Sequence, residues 1–191
     1  MNDRDFLKLL HVVKDGGRLS DSDRDLLDDH LNKDHHSLDG AAILTYGLIF
    51  NADRHRVATI RRHIDKCIEL EYPNVLRELL IVAVLYWGVP ERFEKELRNC
   101  LGLDPDLFFE SVDLALLGLS RIYEADHSKK YILREIEDSF QLYYKKNEIA
   151  YLKLLFGTVE LCLFGHTESR PSITPKDIGE IIQRIERNDR I

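Results

Sequence analysis

Apolar residues recur at the spacing of an α-helix from the start of the chain. Between Phe6 and Val13 they follow the i, i+3, i+4, i+7 pattern, and Gly16 predicts where this first helix ends. Ser20 has the residue type and position of an N-cap, which predicts a second, acidic helix. The polar stretch that reaches Asp39 predicts a loop before the rest of the chain.

Two kinds of helix alternate from Asp39 to Ile191. One kind is apolar on most of its sides, and its members are Ala41–Phe50, Val75–Trp87, Leu107–Ile122 and Ile149–Phe164. The other kind carries a narrow apolar stripe, and its members are Val57–Cys67, Phe93–Leu101, Ile132–Tyr143 and Ile178–Ile185. A helix that is apolar all round belongs in the middle of a packed layer, whereas a striped helix covers its flank. The alternation predicts an all-α fold of about nine or ten helices, arranged as stacked antiparallel hairpins or as an irregular helical bundle.

Prolines and capping residues predict where several of these helices begin. Four prolines stand at the start of a new pattern: Pro73, Pro90, Pro105 and Pro175. Proline suits the first turn of a helix because the N–H group that it lacks would have no intrahelical partner there. Asp104 and Thr174 precede two of these prolines as predicted N-caps, and Thr174 with Asp177 resembles a capping box.

The longest nearly apolar run, Leu79–Val89, has eleven residues. A membrane-spanning helix needs about 20 residues, so the sequence predicts no membrane partner. The run could also be a buried strand. Because Arg77 and Glu78 join it directly to the helical start at Pro73, we predict a helix.

Glycines recur within or at the ends of the apolar helices. They are Gly47, Gly88, Gly118 and Gly157, at spacings of 41, 30 and 39 residues. A period near 40 residues is typical of HEAT helix pairs, in which small residues let paired helices approach closely. By this period and by the alternation of helix types, residues 39–191 resemble the HEAT-like α-helical repeat proteins. The resemblance implies about four stacked hairpins that form a short α-solenoid.

The length of 191 residues predicts a single domain. Within it we expect an N-terminal helical pair and loop over residues 1–38, followed by the hairpin repeats over residues 39–191. The three cysteines are widely spaced and odd in number, which disfavours a disulfide framework and predicts a cytoplasmic protein. The charged first residues do not have the pattern of a signal peptide.

The negative charge of the chain, −7 in total, is concentrated in two segments. Residues 1–40 hold ten Asp and six Lys or Arg, a net charge of −4, and residues 73–110 hold seven acids and four bases, a net charge of −3. A concentrated acidic surface attracts a basic partner and repels nucleic acid and anionic membranes. The candidate partner-binding residues are Asp21, Asp23, Asp25, Asp28, Asp29, Glu91, Glu94 and Glu96.

In size, charge and architecture, the chain resembles small acidic bacterial immunity proteins and antitoxins. The resemblance implies a protein-binding module that is not an enzyme and that neutralises a basic, nuclease-type toxin domain through its acidic surface. The sequence contains no G-x-S-x-G motif and no glycine-rich phosphate loop, so we predict no catalytic residue and no cofactor.

Two other functions stay open. A HEAT-like nucleic-acid-binding protein or DNA glycosylase would use the one basic cluster, which consists of Arg54, Arg56, Arg61 and Arg62. A metal-dependent hydrolase would use the segment rich in Asp and His between residues 28 and 39, with Asp29, His30, His35 and His36 as ligands. That segment lacks the fixed spacing of a helical metal motif, so we predict a solvated turn and no metal there.

Overall fold

The structure, a computed structural model, describes residues 3–33, 38–146, 149–165, 167 and 173–187. Throughout these ranges the regular structure is helical, which confirms the predicted all-α class. Contacts divide the chain into two compact units, Met1–Glu96 and Leu97–Ile191. This division falls after Glu96 and not after residue 38, where the sequence placed its internal boundary. That the whole chain forms one domain stays a prediction.

The first unit holds five helices and the start of a sixth. They are α1 (Asp3–Lys14), α2 (Asp21–Leu31), α3 (Gly40–Ile49), α4 (Arg54–Glu69), α5 (Pro73–Ile81) and α6 (Glu94–Cys100). A π-helical turn, Val82–Tyr86, continues α5, and a 3-10 turn, Pro90–Phe93, leads into α6. The second unit holds α7 (Pro105–Ala125), α8 (Lys130–Lys145), α9 (Ile149–Phe164) and α10 (Pro175–Arg187). The ten α-helices of the described ranges agree with the predicted number.

Local signals set the helix ends as expected. Gly16 follows α1 with a φ of 80°, a left-handed conformation that suits glycine. The backbone N–H of Asp23 donates to the Ser20 hydroxyl over 3.2 Å, and the Asp23 carboxylate accepts from the Ser20 N–H, which completes a capping box on α2. The same reciprocal pair joins Thr174 and Asp177 at the start of α10.

The apolar run Leu79–Val89 is helical as far as Tyr86, so the alternative of a buried strand is wrong. Within it, the Trp87 N–H donates to the Val82 carbonyl over 2.9 Å, the five-residue step of a π-turn. This wider turn lies directly before Trp87, and the indole N–H of Trp87 donates to the Phe50 carbonyl over 2.8 Å. No helix in the described part of the chain is long and apolar enough to cross a bilayer.

Apolar helices lie side by side and run parallel within each unit. In the first unit, Gly40 contacts Glu78 near the start of α3, and Phe50 contacts Trp87 at its end, so the contacts advance along α3 and α5 in the same direction. In the second unit, the Phe109 ring lies 5.0 Å from the Tyr151 ring, and further along the Thr158 hydroxyl donates to Asp113. The helices α7 and α9 therefore also run parallel.

The four recurring glycines do not share one structural role. A Cβ atom on Gly47 would lie 2.5 Å from the Val82 side chain, so only glycine allows α3 to approach α5 this closely. Gly88 takes a φ of 62° after the π-turn, and a Cβ on Gly157 would meet its nearest neighbour at 3.8 Å. The glycine spacing therefore does not by itself mark equivalent positions of a repeat.

Candidate protein-binding surface

Three carboxylates form a row along the solvent face of α2. Asp21, Asp25 and Asp29 follow one another at intervals of four residues, so their side chains lie on one side of the helix, and all three are exposed. The opposite side carries Leu27 and Leu31, which are buried. Burial of that side fixes the orientation of α2, so a row about 12 Å long faces solvent. We call these three residues the α2 acidic row.

Two other acidic residues of α2 have structural partners. Asp23 completes the capping box with Ser20 and is half-buried. Asp28 lies 3.5 Å from the Arg56 guanidinium of α4. Both were predicted as partner-binding residues, and the structure separates them from the α2 acidic row because their carboxylates already bind groups of the same chain.

Arg56 lies at the centre of a polar cluster between α2, α3 and α4. Its guanidinium pairs with Asp53 over 2.5 Å and lies over the Phe50 ring, 4.3 Å from the centroid. Burial, together with the negative charge of Asp28, raises the pKa of the Tyr46 phenol far above its ordinary value. The Arg56 backbone N–H, which donates to the Asp53 carboxylate, lowers the pKa of Asp53. These groups bind one another and anchor the N-terminus of α4.

The acids near α6 differ sharply in exposure. Glu91 is exposed on the 3-10 turn and Glu94 is half-buried at the start of α6. Glu96 is only 1% exposed, and one of its oxygens accepts from Arg61 Nε over 2.8 Å. Glu96 comes two residues after Glu94 in the helix, so its side chain lies on the opposite side of α6 and faces the interior of the unit. Glu96 was predicted as a surface contact, and its burial removes it from that set.

Basic groups lie between these acids and α2. The Arg92 guanidinium donates to the Ala52 carbonyl, one residue before Asp53, and Asp53 in turn pairs with Arg56. The predicted acidic surface is thus interrupted by two guanidinium groups, and the α2 acidic row is the part of it in which three exposed carboxylates follow one helix face.

Two of the four arginines in the basic cluster proposed for nucleic acid are engaged in ion pairs. Arg56 binds Asp53 and Asp28, and Arg61 binds Glu96. Arg54 and Arg62 are exposed on α4. Proteins that bind nucleic acid gather positive charge over a whole face, and two exposed arginines do not form one.

His30, proposed as a metal ligand, has a structural role. It is buried, its Nε2 accepts the Asp39 N–H over 3.0 Å, and its ring lies 4.4 Å from the Phe6 ring. His35 and His36 lie outside the described residues. Within the described residues no group of three or more His, Cys, Asp or Glu side chains is placed to hold a metal ion.

Two of the three cysteine thiols, those of Cys67 and Cys162, are not poised as nucleophiles. Burial raises the pKa of Cys67 to about 12. Burial and the charge of Glu124 raise the pKa of Cys162 to about 11. A cysteine attacks as its thiolate, and at neutral pH both of these groups are protonated.

Fold and surface together define an all-helical protein whose most distinctive feature is an exposed acidic row on an anchored helix. Comparisons with models of protein families, with curated proteins and with solved structures found no match. The function is therefore argued from the residues of this chain alone.

Proposed function

We propose that this chain is a protein-binding module, without catalytic activity, that takes a basic protein partner on the α2 acidic row. The partner that fits is a nuclease-type toxin domain, which the chain neutralises in the manner of a bacterial immunity protein. The observation that carries the proposal is the exposure of Asp21, Asp25 and Asp29 along one face of a helix fixed from behind. A fixed row of like charges steers and orients a partner of opposite charge.

Within the row, only Asp21 has an evident role in the stability of the fold, because it lies in the first turn of α2, where a negative charge is favourable. Asp23, Asp28 and Glu96 each accept a hydrogen bond or pair with an arginine. For Asp25 and Asp29 the described part of the chain shows no ion pair. Like charges four residues apart destabilise a helix by about 0.2–0.5 kcal/mol per pair, so a row of three is better explained by binding than by folding.

We also propose that the helices form stacked hairpins of the HEAT-like kind, with an irregular bundle as the alternative. The parallel course of α3 with α5 and of α7 with α9 supports this, since alternate helices run parallel in a stack of hairpins. Such a stack presents an extended surface to a partner. A cytoplasmic location belongs to the same proposal.

The test uses immobilised chain to capture partners from a native lysate, followed by binding kinetics of the captured protein as a function of salt. The row variant combines Asp21→Lys, Asp25→Lys and Asp29→Lys. The matched control combines Asp65→Lys, Glu71→Lys and Asp138→Lys, which changes the net charge equally at exposed positions elsewhere. We expect the row variant to associate at least about tenfold more slowly and with a weaker salt dependence, and the control to retain the wild-type rate.

Three results would overturn the proposal. They are the recovery of no tight partner, equal capture by the row variant and the wild type, or a captured nuclease that stays active in the complex. Salt-sensitive retention of DNA in a filter-binding assay would favour the nucleic-acid alternative. Stoichiometric metal in the purified protein would favour the hydrolase alternative.

A further inference from the structure

A groove runs between α7 and α9 in the second unit, and we call it the α7/α9 groove. Its volume of about 470 Å³ lies within the range of about 300–1,000 Å³ that is usual for small-molecule sites. On α7, Asp113 and Leu117 line it at an interval of about one helical turn, and on α9 Thr158 and Cys162 do the same. Because Asp113 lies beside Thr158 and the helices run parallel, the two pairs face each other across the groove.

The middle of the α7/α9 groove is apolar and uncharged. Leu117 is half-buried, and Leu161 is 59% exposed. Burial raises the pKa of the Cys162 thiol to about 11, so this group is protonated and neutral at pH 7. An aliphatic group that leaves water is stabilised by contact with such a surface.

One end of the groove holds a carboxylate without a counter-charge. Asp113 is half-buried, and its Oδ1 accepts from the Thr158 hydroxyl. Its Oδ2 is not shut off from solvent and has no partner among the described residues. Burial raises the pKa of Asp113, the Thr158 hydroxyl lowers it, and no basic group in the described part of the chain contributes. A cation that approaches a partly buried carboxylate stabilises its charged form.

The other end of the groove carries two opposite charges. Arg121 and Glu124 line it two to three turns beyond Asp113, at least about 12 Å along α7. Both interact with other groups of the chain, and they shift the pKa of Cys162 in opposite directions. Their effects on the groove therefore oppose each other, which leaves Asp113 to select the charge of a ligand.

We propose that the α7/α9 groove binds an aliphatic ammonium ion. The ammonium group donates to Asp113 Oδ2, and the alkyl stem lies along Leu117, Leu161 and Cys162. These three residues lie within about one helical turn, about 5 Å, of the level of Asp113, which a short alkyl stem such as that of lysine can span. An anion would be repelled by Asp113, and a cation without a stem would leave the apolar middle of the groove unfilled.

Two sources can supply this group. One is a free alkylamine, and the other is a lysine side chain of another protein, since lysine carries its ammonium group on a flexible aliphatic stem. The chemistry that the groove recognises is the same for both. The inference uses residues of the second unit alone, so it does not rest on the α2 acidic row and would stand if that row bound no partner.

The first test is a calorimetric titration of the purified full chain at pH 7 with pentylammonium chloride. We expect saturable binding with a Kd of about 1 mM or tighter. The alcohol 1-pentanol has the same stem without the charge, and pentanoate has the opposite charge. Each should bind at least about tenfold more weakly than pentylammonium.

A titration with Nα-acetyl-lysine amide separates the two sources. Tighter binding of this compound than of pentylammonium assigns the ammonium group to a protein side chain, and weaker binding assigns it to a free amine.

The second test removes the charge of Asp113. Asp113→Asn keeps an acceptor oxygen for Thr158 and should weaken pentylammonium binding at least about tenfold, while the affinity for 1-pentanol stays the same. Asp138→Asn, at an exposed position on α8, changes the net charge equally and should bind like the wild type. Circular dichroism checks that both variants keep their helices.

Four results would each overturn the inference. They are the absence of saturable binding by either ammonium compound, a 1-pentanol affinity equal to that of pentylammonium, wild-type binding of pentylammonium by Asp113→Asn, and a loss for Asp138→Asn as large as that for Asp113→Asn.

Discussion

The helix pairs α3/α5 and α7/α9 are alike in sequence and course but differ in what surrounds their glycines and in how far their apolar side chains are exposed. Between α3 and α5, Gly47 admits the Val82 side chain, and the Trp87 indole N–H donates to the Phe50 carbonyl. On α9, by contrast, a Cβ at Gly157 would have no neighbour closer than 3.8 Å, and two leucines are about 60% exposed. An apolar helix therefore predicts a place in a packed layer but not whether the same chain completes that layer.

Two ion pairs between helices, one in each unit, differ in how deeply they are buried. In the first unit, Glu96 is almost fully buried and its ion pair with Arg61 links α6 to α4. In the second unit, Glu135 pairs with Arg98 through both carboxylate oxygens, but its side chain remains 28% exposed. If the arginine is removed, water can hydrate the Glu135 carboxylate but cannot reach the buried Glu96 carboxylate.

The largest effect is expected from removing the arginine of each pair. Arg61→Met leaves a buried carboxylate without its partner and should lower the free energy of unfolding by about 3 kcal/mol. Arg98→Met leaves a hydrated carboxylate and should cost less than about 1 kcal/mol. Urea unfolding followed by circular dichroism measures both. The double variant Arg61→Met, Glu96→Met should recover most of the loss, and equal losses for the two single variants would remove the distinction between the units.

The next effect compares two glycines that have similar sequence surroundings. Gly47→Ala places a methyl group 2.5 Å from the Val82 side chain and should cost about 2 kcal/mol, because α3 and α5 would have to move apart. Gly157→Ala adds a methyl group at an ordinary contact distance, 3.8 Å from the Thr167 side chain, and should stabilise the protein by about 0.5–1 kcal/mol through the higher helix propensity of alanine. Thermal unfolding of both variants gives the two signs. The same sign for both would show that the two glycines have equivalent surroundings.

Sequence reasoning succeeded where a feature is local. Ser20, Asp104 and Thr174 were predicted as N-caps and all three cap their helices, because a cap and the N–H group that donates to it lie within three residues. The prediction that prolines begin α5 and α7 is confirmed for the same reason. Capping depends on the chemistry of neighbouring residues, so a single sequence contains what is needed.

Sequence reasoning failed where a feature depends on distant residues. Arg56 pairs with Asp28 across 28 residues, and Arg61 pairs with Glu96 across 35 residues, so no helical spacing relates the partners. The basic character of α4 was visible, but its neutralisation by these acids was not. The π-turn before Trp87 was missed as well, because the helical pattern of apolar residues in the sequence does not mark where one extra residue enters a turn.

A smaller effect is expected from removing one hydrogen-bond donor in each unit. Trp87→Phe removes the N–H that binds the Phe50 carbonyl at 2.8 Å and also reduces the volume, so a loss of roughly 1–2 kcal/mol is expected. Tyr143→Phe removes a hydroxyl whose bonds to the Leu101 and Leu103 carbonyls are longer, 3.3 and 3.4 Å. Its loss should be about 0.5–1 kcal/mol. The free energy of unfolding is measured by chemical denaturation. A larger loss for Tyr143→Phe than for Trp87→Phe would contradict the stronger hydrogen bond that we assign to Trp87.

The smallest effect is a pair of opposite pH dependences. Burial raises the pKa of Asp113, next to α9, above its ordinary value of 3.8, so the folded protein holds this proton more tightly than the unfolded chain. The stability that this raised pKa contributes to the folded state is fully present below pH 3.8, and it is lost as the pH rises through the pKa of Asp113 in the folded protein. In the first unit, the Arg56 N–H lowers the pKa of Asp53 below 3.8, so the associated stability is present above that value and is lost as the pH falls through the folded pKa.

Substitution by asparagine separates these two contributions, because asparagine keeps the acceptor oxygen without the charge. In urea unfolding measured from pH 3 to pH 7, Asp113→Asn should gain stability relative to the wild type as the pH rises. Asp53→Asn should lose stability relative to the wild type over the same rise, because the unfolded wild-type carboxyl takes up protons that the folded one does not. If both variants moved in the same direction, the two carboxylates would have similar surroundings. The contrast between an aspartate that caps a helix and one that lies in the groove between α7 and α9 would then be wrong.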